Sequence, residues 1–152
     1  MLNKLKEAFA SLESHDVHYL IIGGIAAILY GVPRATFDLD VLIDPTLENA
    51  RRLLDAFLEA DLGTAALTTP EDIVANEITV FKDFVRIDGQ TWTPGILFAD
   101  VWPRRLTLQT QGQSFYVVSR EDLIASKKAA GRNVDLEDVK ILERHLKPNA
   151  GV

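Results

Sequence analysis

Apolar residues recur at Leu2, Leu5, Ala8, Phe9 and Leu12, a spacing that predicts an amphipathic helix from Leu2 to about Ser14. The pattern then tightens to a continuous apolar, β-branched run from Val17 to Ile22, which reads as a buried strand. Gly23-Gly24 ends that strand before an alanine-rich helix, roughly Ile25 to Tyr30, which Gly31 and Pro33 stop. Phe37 to Ile43 reads as the second strand. Asp44-Pro45 then predicts a cap and first helical position for a helix running from Thr46 to about Ala60. Leu47, Ala50, Leu53, Leu54, Phe57 and Leu58 keep the helical period along it, and Asp61-Leu62-Gly63 is its stop.

Further on, Thr69-Pro70-Glu71-Asp72 signals the start of a short helix, and Ile78 to Ile87 reads as a third strand ending at Asp88-Gly89. Phe98 to Arg105 fits strand or helix equally. Leu106 to Gln109 and Ser114 to Val118, separated by a turn at Gly112, predict a hairpin with a polar face. Ser119 caps a helix that Gly131 ends, and Asp135 caps a last helix running to about His145. The expected fold is α+β: a mixed sheet flanked by helices, with a C-terminal helical pair. Residues 1–147 form one domain and 148–152 a tail, without internal repeats or a low-complexity linker.

Length and composition narrow this little. The 152 residues suit a single domain, and 47% hydrophobic with 25% charged residues is the balance of a soluble globular chain. The net charge of -6 argues against a surface that coats nucleic acid, although Arg104, Arg105, Lys127 and Lys128 supply material for a local basic groove. Without cysteine there is no disulfide, thiolate metal site or cysteine nucleophile, which agrees with a cytoplasmic location. Charges interrupt the first fifteen residues, so no signal peptide is expected. The longest apolar run, Tyr19 to Tyr30, is too short to span a membrane. His15, His18 and His145 lack a zinc-ligand spacing, and Trp92 and Trp102 are expected in the core.

The chemistry concentrates between Leu20 and Asp44. Residues two apart on a strand share a face, so Asp38 and Asp40 set their carboxylates side by side while Phe37, Leu39 and Val41 pack the other way. Such a pair repels itself unless a cation stands between them. Mg2+ suits the place, because it takes hard oxygen ligands from one or two carboxylates together with substrate phosphates. Gly23 and Gly24, at a strand-to-helix junction, can serve as a tight turn or let a phosphate approach the backbone. Thr36 shares the aspartates' side if the strand starts early. Arg34 can pair with a phosphate or form a surface salt bridge.

Together the residues "GGIAAILYGVPRATFDLDVLI" resemble the signature of the nucleotidyltransferase superfamily related to DNA polymerase beta. The likeness is to the branch with Gly-Gly and Arg-x-Thr ahead of Asp-x-Asp, which resembles the abortive-infection and toxin–antitoxin nucleotidyltransferases and the small antibiotic nucleotidyltransferases. A second stretch, "SREDLIASKKAAGRNVDLEDVKILE", is similar to that branch's C-terminal helices. The resemblance implies a nucleoside triphosphate as substrate and Mg2+ held by Asp38, Asp40 and a third carboxylate. Asp88 is the first choice for that carboxylate and Asp100 the second, while Asp83 faces away from Asp88 on an ideal strand. It further implies that Gly23, Gly24, Arg34, Thr36, Lys127 and Arg132 contact the nucleotide. The acceptor is an RNA end of tRNA size, a protein side chain or a small hydroxylated molecule. The chain is short and lacks the usual serine after the first glycine, so a partner protein or second copy can complete the site. Asp135 and Asp138 read as helix-terminal acids with a structural role.

Overall fold

The computed structural model describes residues 5–144. Helix α1 (Lys6–Ser14) leads into strand β1 (Tyr19–Ile22), whose four residues are all buried. Helix α2 (Gly23–Leu29) starts at Gly23 itself, two residues before the expected Ile25. Gly23 has φ +68°, a left-handed turn that converts strand directly into helix. Strand β2 (Asp38–Ile43) follows, one residue shorter than its apolar pattern, and leaves Phe37 exposed. Helix α3 (Leu47–Glu59) is capped by Thr46, whose hydroxyl accepts from Asn49 N at 3.1 Å, and not by Asp44. Asp44 lies too far ahead: its own N–H is spent on His18 O, and its carbonyl accepts from Asn49 Nδ2.

A 3-10 turn (Gly63–Leu67) precedes α4 (Pro70–Ala75), which Thr69 caps as its turn signal predicts. The expected third strand is in fact two. Strands β3 (Ile78–Lys82) and β4 (Arg86–Gln90) pair antiparallel around a turn at residues 83–85. That turn contains no Gly, Pro or Asn; Asp83 fixes it by accepting from the N–H and hydroxyl of Thr64, a contact made across 19 residues. The ambiguous segment is helical, as α5 (Phe98–Val101) and a 3-10 turn (Trp102–Arg104). Strands β5 (Leu106–Thr110) and β6 (Gln113–Val117) form the expected hairpin, with Gln111 and Gly112 both at positive φ in the tight turn.

Helix α6 (Arg120–Ala130) runs from the Ser119 cap to Gly131, as expected. Helix α7 (Asn133–Arg144) already contains Asp135, which therefore is not its cap residue; its carboxylate instead reaches back to Arg132 N at 3.2 Å. The expected end at His145, the tail at 148–152 and the start at Leu2 lie outside the described residues.

The sheet has the order β3-β4-β2-β1-β6-β5, with β4 parallel to β2, β6 parallel to β1, and the other neighbours antiparallel. It is the mixed α+β sheet that the sequence predicts. Paired residues share a face. Phe81, Ile87, Leu39, Val41 and Tyr19 therefore build one apolar side, where Phe57 of α3 meets Phe81 edge-on at 5.0 Å and Phe9 of α1 meets Tyr19 at 6.0 Å. The opposite side carries Asp38, Asp40, Arg86, Asp88 and Gln90. A one-residue slip of β2 would bury both aspartates in the core, so the apolar side fixes where the carboxylates stand.

Candidate active site

Above the carboxylate side, α2, α6 and α7 enclose a cleft of about 580 Å³. The structure places Gly23, Gly24, Arg34, Thr36, Asp38, Asp40, Asp88, Lys127 and Arg132 in its wall. Asp100 stands apart, exposed at a separate cavity beside Trp92 and Arg104. Asp83 is engaged with Thr64. Among the three strand carboxylates, Asp40 is the centre: it sits directly across from Asp88 in the parallel register and two residues from Asp38. Burial, with the charges of Asp88 and Asp38, pushes its carboxyl up to about 6, against a hydrogen bond from Gln90 Nε2 at 3.4 Å.

The two glycines answer to these side chains. A Cβ on Gly23 would stand 2.5 Å from Asp40 Oδ2, and one on Gly24 would stand 3.1 Å from Arg34 Nη2. Both positions thus leave room for a charged group of the site itself, beyond the tight turn or phosphate approach that the sequence suggests. Thr36 is in the cleft wall although β2 begins only at Asp38.

The cations are tied to α7. Arg34 Nη2 lies 3.0 Å from Asp138 Oδ2, and Lys127 Nζ lies 2.8 Å from the same atom and 3.6 Å from Asp135 Oδ1. Arg132 forks onto Asp135, and this pairing holds the Asp135 carboxyl below its usual range even though burial works against it. Lys127 is buried and so does not stand on a solvated helix face, whereas the neighbouring Lys128, paired with Glu143, does. Asp135 and Asp138 are 2% exposed each and tether three cleft cations, a larger part than that of helix-terminal acids. Arg34 Nε is buried and has no hydrogen-bond partner.

Arg86 and Gln90 escaped the sequence reading, because a single strand through Ile87 hides their phase. Once β4 is a strand of its own, Arg86, Asp88 and Gln90 fall on one face, where Asp88 and Gln90 line the cleft and Arg86 stands beside it. Arg86 forks onto Asp88 with Nε–Oδ1 at 2.9 Å and Nη2–Oδ2 at 3.3 Å. Among the described residues, no three His, Cys, Asp or Glu side chains converge on a space for a metal ion. Asp38 and Asp40 nevertheless suit a hard divalent cation: both offer carboxylate oxygen, their charges repel, and Gly23 leaves Asp40 the room to present an oxygen. Asp88 differs from them in that Arg86 engages both of its oxygens.

The remaining expectations resolve simply. Trp92 is exposed, and Trp102 is only partly buried, stacked on His18 at 4.6 Å with Arg105 3.8 Å over its ring. The material of a basic groove is largely engaged, since Arg104 forks onto Asp122. No helix among the described residues is long and apolar enough to cross a membrane.

Residues 1–144 match the family described as "Nucleotidyltransferase of unknown function (DUF6036)", and the chain belongs to that family. The fold is similar to that of an antigenic nucleotidyltransferase-like protein from Paracoccidioides brasiliensis, with TM-score 0.56, 19% identity, and 96% of this chain against 77% of that one covered. It is also similar to a protein from Thermotoga maritima described as a candidate nucleotidyltransferase, with TM-score 0.54, 17% identity, and 95% and 91% of the two chains covered. No curated protein matches the sequence.

Proposed function

We propose that this chain is an Mg2+-dependent nucleotidyltransferase that moves a nucleoside monophosphate from a nucleoside triphosphate to a hydroxyl group. One observation carries the reading: carboxylates from β2 and β4 share a single cleft with glycines from α2 and cations from the β2 approach, α6 and the α6–α7 turn. Asp38 and Asp40 would hold the ion, which when bound would supply charge neutralisation at the phosphates and polarisation of the α-phosphate. Arg34, with its unpartnered Nε–H, and Lys127 and Arg132 bind phosphate oxygens. Thr36 and the backbone at Gly23 and Gly24 line the same wall. The acceptor oxygen attacks the α-phosphorus, the bond to the β-phosphate oxygen breaks, and pyrophosphate leaves with its electron pair. Asp88 orients the acceptor hydroxyl and takes its proton.

The acceptor is an RNA end of tRNA size, a protein side chain or a small hydroxylated molecule, completed where needed by a partner protein or second copy. A cytoplasmic toxin–antitoxin or defence role belongs to this reading through the sequence resemblance. The Arg86–Asp88 fork favours a second reading, a nucleotide-binding interaction module without turnover.

The test is pyrophosphate release from each of the four ribonucleoside triphosphates with Mg2+ and a small-RNA pool, for wild type beside Asp38→Ala/Asp40→Ala. Release that requires both aspartates is expected. Nucleotide-dependent stabilisation without release would favour the interaction module.

A further inference from the structure

The third carboxylate of the cleft already has a cation. Arg86 and Asp88 are two residues apart on β4, so their side chains emerge on one face, and the guanidinium engages both Asp88 oxygens in a fork. In the parallel register Arg86 is directly opposite Asp38, and Asp88 directly opposite Asp40. Arg86 therefore takes one corner of a square of paired residues whose other corners are the three aspartates, and its guanidinium folds along β4 onto Asp88. A two-ion site sets its ions about 3.5–4 Å apart and needs open space beside the carboxylate that binds the second. Here the space beside Asp88 is taken by a permanent charge, and among the described residues no three carboxylates are grouped to hold an ion.

We propose that Arg86 replaces the second metal ion, so that this cleft binds one divalent cation, at Asp38 and Asp40, and excludes another at Asp88. The inference rests on the nucleotidyltransferase reading and adds to it that a side chain supplies charge which two-ion enzymes take from solution. Arg is suited to this because it stays protonated at any working pH and its planar fork matches a carboxylate. Its side chain is 42% exposed while that of Asp88 is 13% exposed, so the pair is anchored on the carboxylate and Arg86 can be truncated without opening the core.

The test counts ions. Mn2+ bound per chain is measured by electron paramagnetic resonance in the presence of the α,β-methylene analogue of each ribonucleoside triphosphate in turn, for wild type, Arg86→Ala, Arg86→Lys and Asp40→Asn. One Mn2+ per chain is expected in wild type. Arg86→Ala should take up a second, with the spectral broadening of two coupled ions, and Asp40→Asn should lose the first. Arg86→Lys keeps the charge, so it should stay at one ion and serve as the fold control. Two coupled ions in wild type would overturn the inference and leave the nucleotidyltransferase reading standing. A single ion in Arg86→Ala, with a melting temperature like that of Arg86→Lys, would likewise overturn it. No Mn2+ in wild type with any analogue would overturn both.

Discussion

Gly23 and Asp40 are fitted to each other: a methyl group on the glycine would stand 2.5 Å from the carboxylate oxygen and 3.1 Å from Asp40 Cβ. The contact arises because Ile22, the last residue of β1, pairs with Asp40, so the next residue turns over its side chain. Gly23→Ala therefore combines two costs. A side chain at φ +68° costs about 1 kcal/mol, and the forced movement of a packed neighbour adds about 1–3 kcal/mol. Urea denaturation should show a loss of about 2–4 kcal/mol, and pyrophosphate release should fall with it because Asp40 is displaced. A variant as stable as wild type would show that the turn accommodates the methyl group.

Asp40 also links the site to pH. Its carboxyl rises from 3.8 to about 6 in the fold, so between those values the folded chain keeps a proton that the unfolded chain has lost. The stability this confers is fully present below about pH 4, falls as pH rises towards 6, and is absent above it. That rise corresponds to at most about 3 kcal/mol, and residual solvent around Asp40 lowers this. Asp40→Asn should be the more stable protein near neutral pH by about 1–2 kcal/mol, with the difference vanishing towards pH ~4. Denaturation at both pH values checks the sign. Addition of Mg2+ near neutral pH should stabilise wild type and leave Asp40→Asn unchanged.

Much of this geometry follows from short-range pattern. The alternation through Asp38, Leu39, Asp40 and Val41 states which side of β2 is polar, and the structure keeps that assignment. The β3–β4 turn could not be read in the same way, because residues 78–87 contain no Gly, Pro or Asn and Asp83 is held by Thr64, far away in sequence. Losing the turn loses the phase of Arg86 and Gln90. Lys127 could be named only through the resemblance, because beside Lys128 it has the look of a solvated helix face. Its burial depends on Asp135 and Asp138, three residues apart on α7, turning towards α6. A pairing between two helices leaves no periodic trace in either one.

Asp88 and Asp100 separate cleanly in a mutational test. Asp88 lines the cleft opposite Asp40, whereas Asp100 is exposed at another cavity. Asp88→Asn should lower pyrophosphate release by at least about 100-fold, the usual scale for a group acting on the reacting proton. Asp100→Asn should stay within about twofold of wild type and cost less than about 0.5 kcal/mol. Equal losses in the two variants would remove the assignment of Asp88.

Asp138 should matter more to the fold than either cation it holds. Its carboxylate bridges Arg34 and Lys127 and is 3% exposed, and the Lys127 side chain is 5% exposed. Asp138→Ala leaves Lys127 buried with only Asp135 at 3.6 Å, and leaves Arg34 without its partner. Removing one member of a buried ion pair costs about 3–5 kcal/mol, because the remaining charge stays desolvated. Lys127→Met is different in kind: Asp138 keeps Arg34, Asp135 keeps Arg132, and the methionine fills a similar volume. That substitution should cost about 1–2 kcal/mol. Denaturation of both variants gives the order directly, and a Lys127→Met loss as large as that of Asp138→Ala would show that the lysine anchors the network. Because Lys127→Met keeps the fold, its pyrophosphate release isolates the cation's work: a fall of at least tenfold is expected, with a raised apparent KM for the triphosphate if the amine binds phosphate before as well as during transfer.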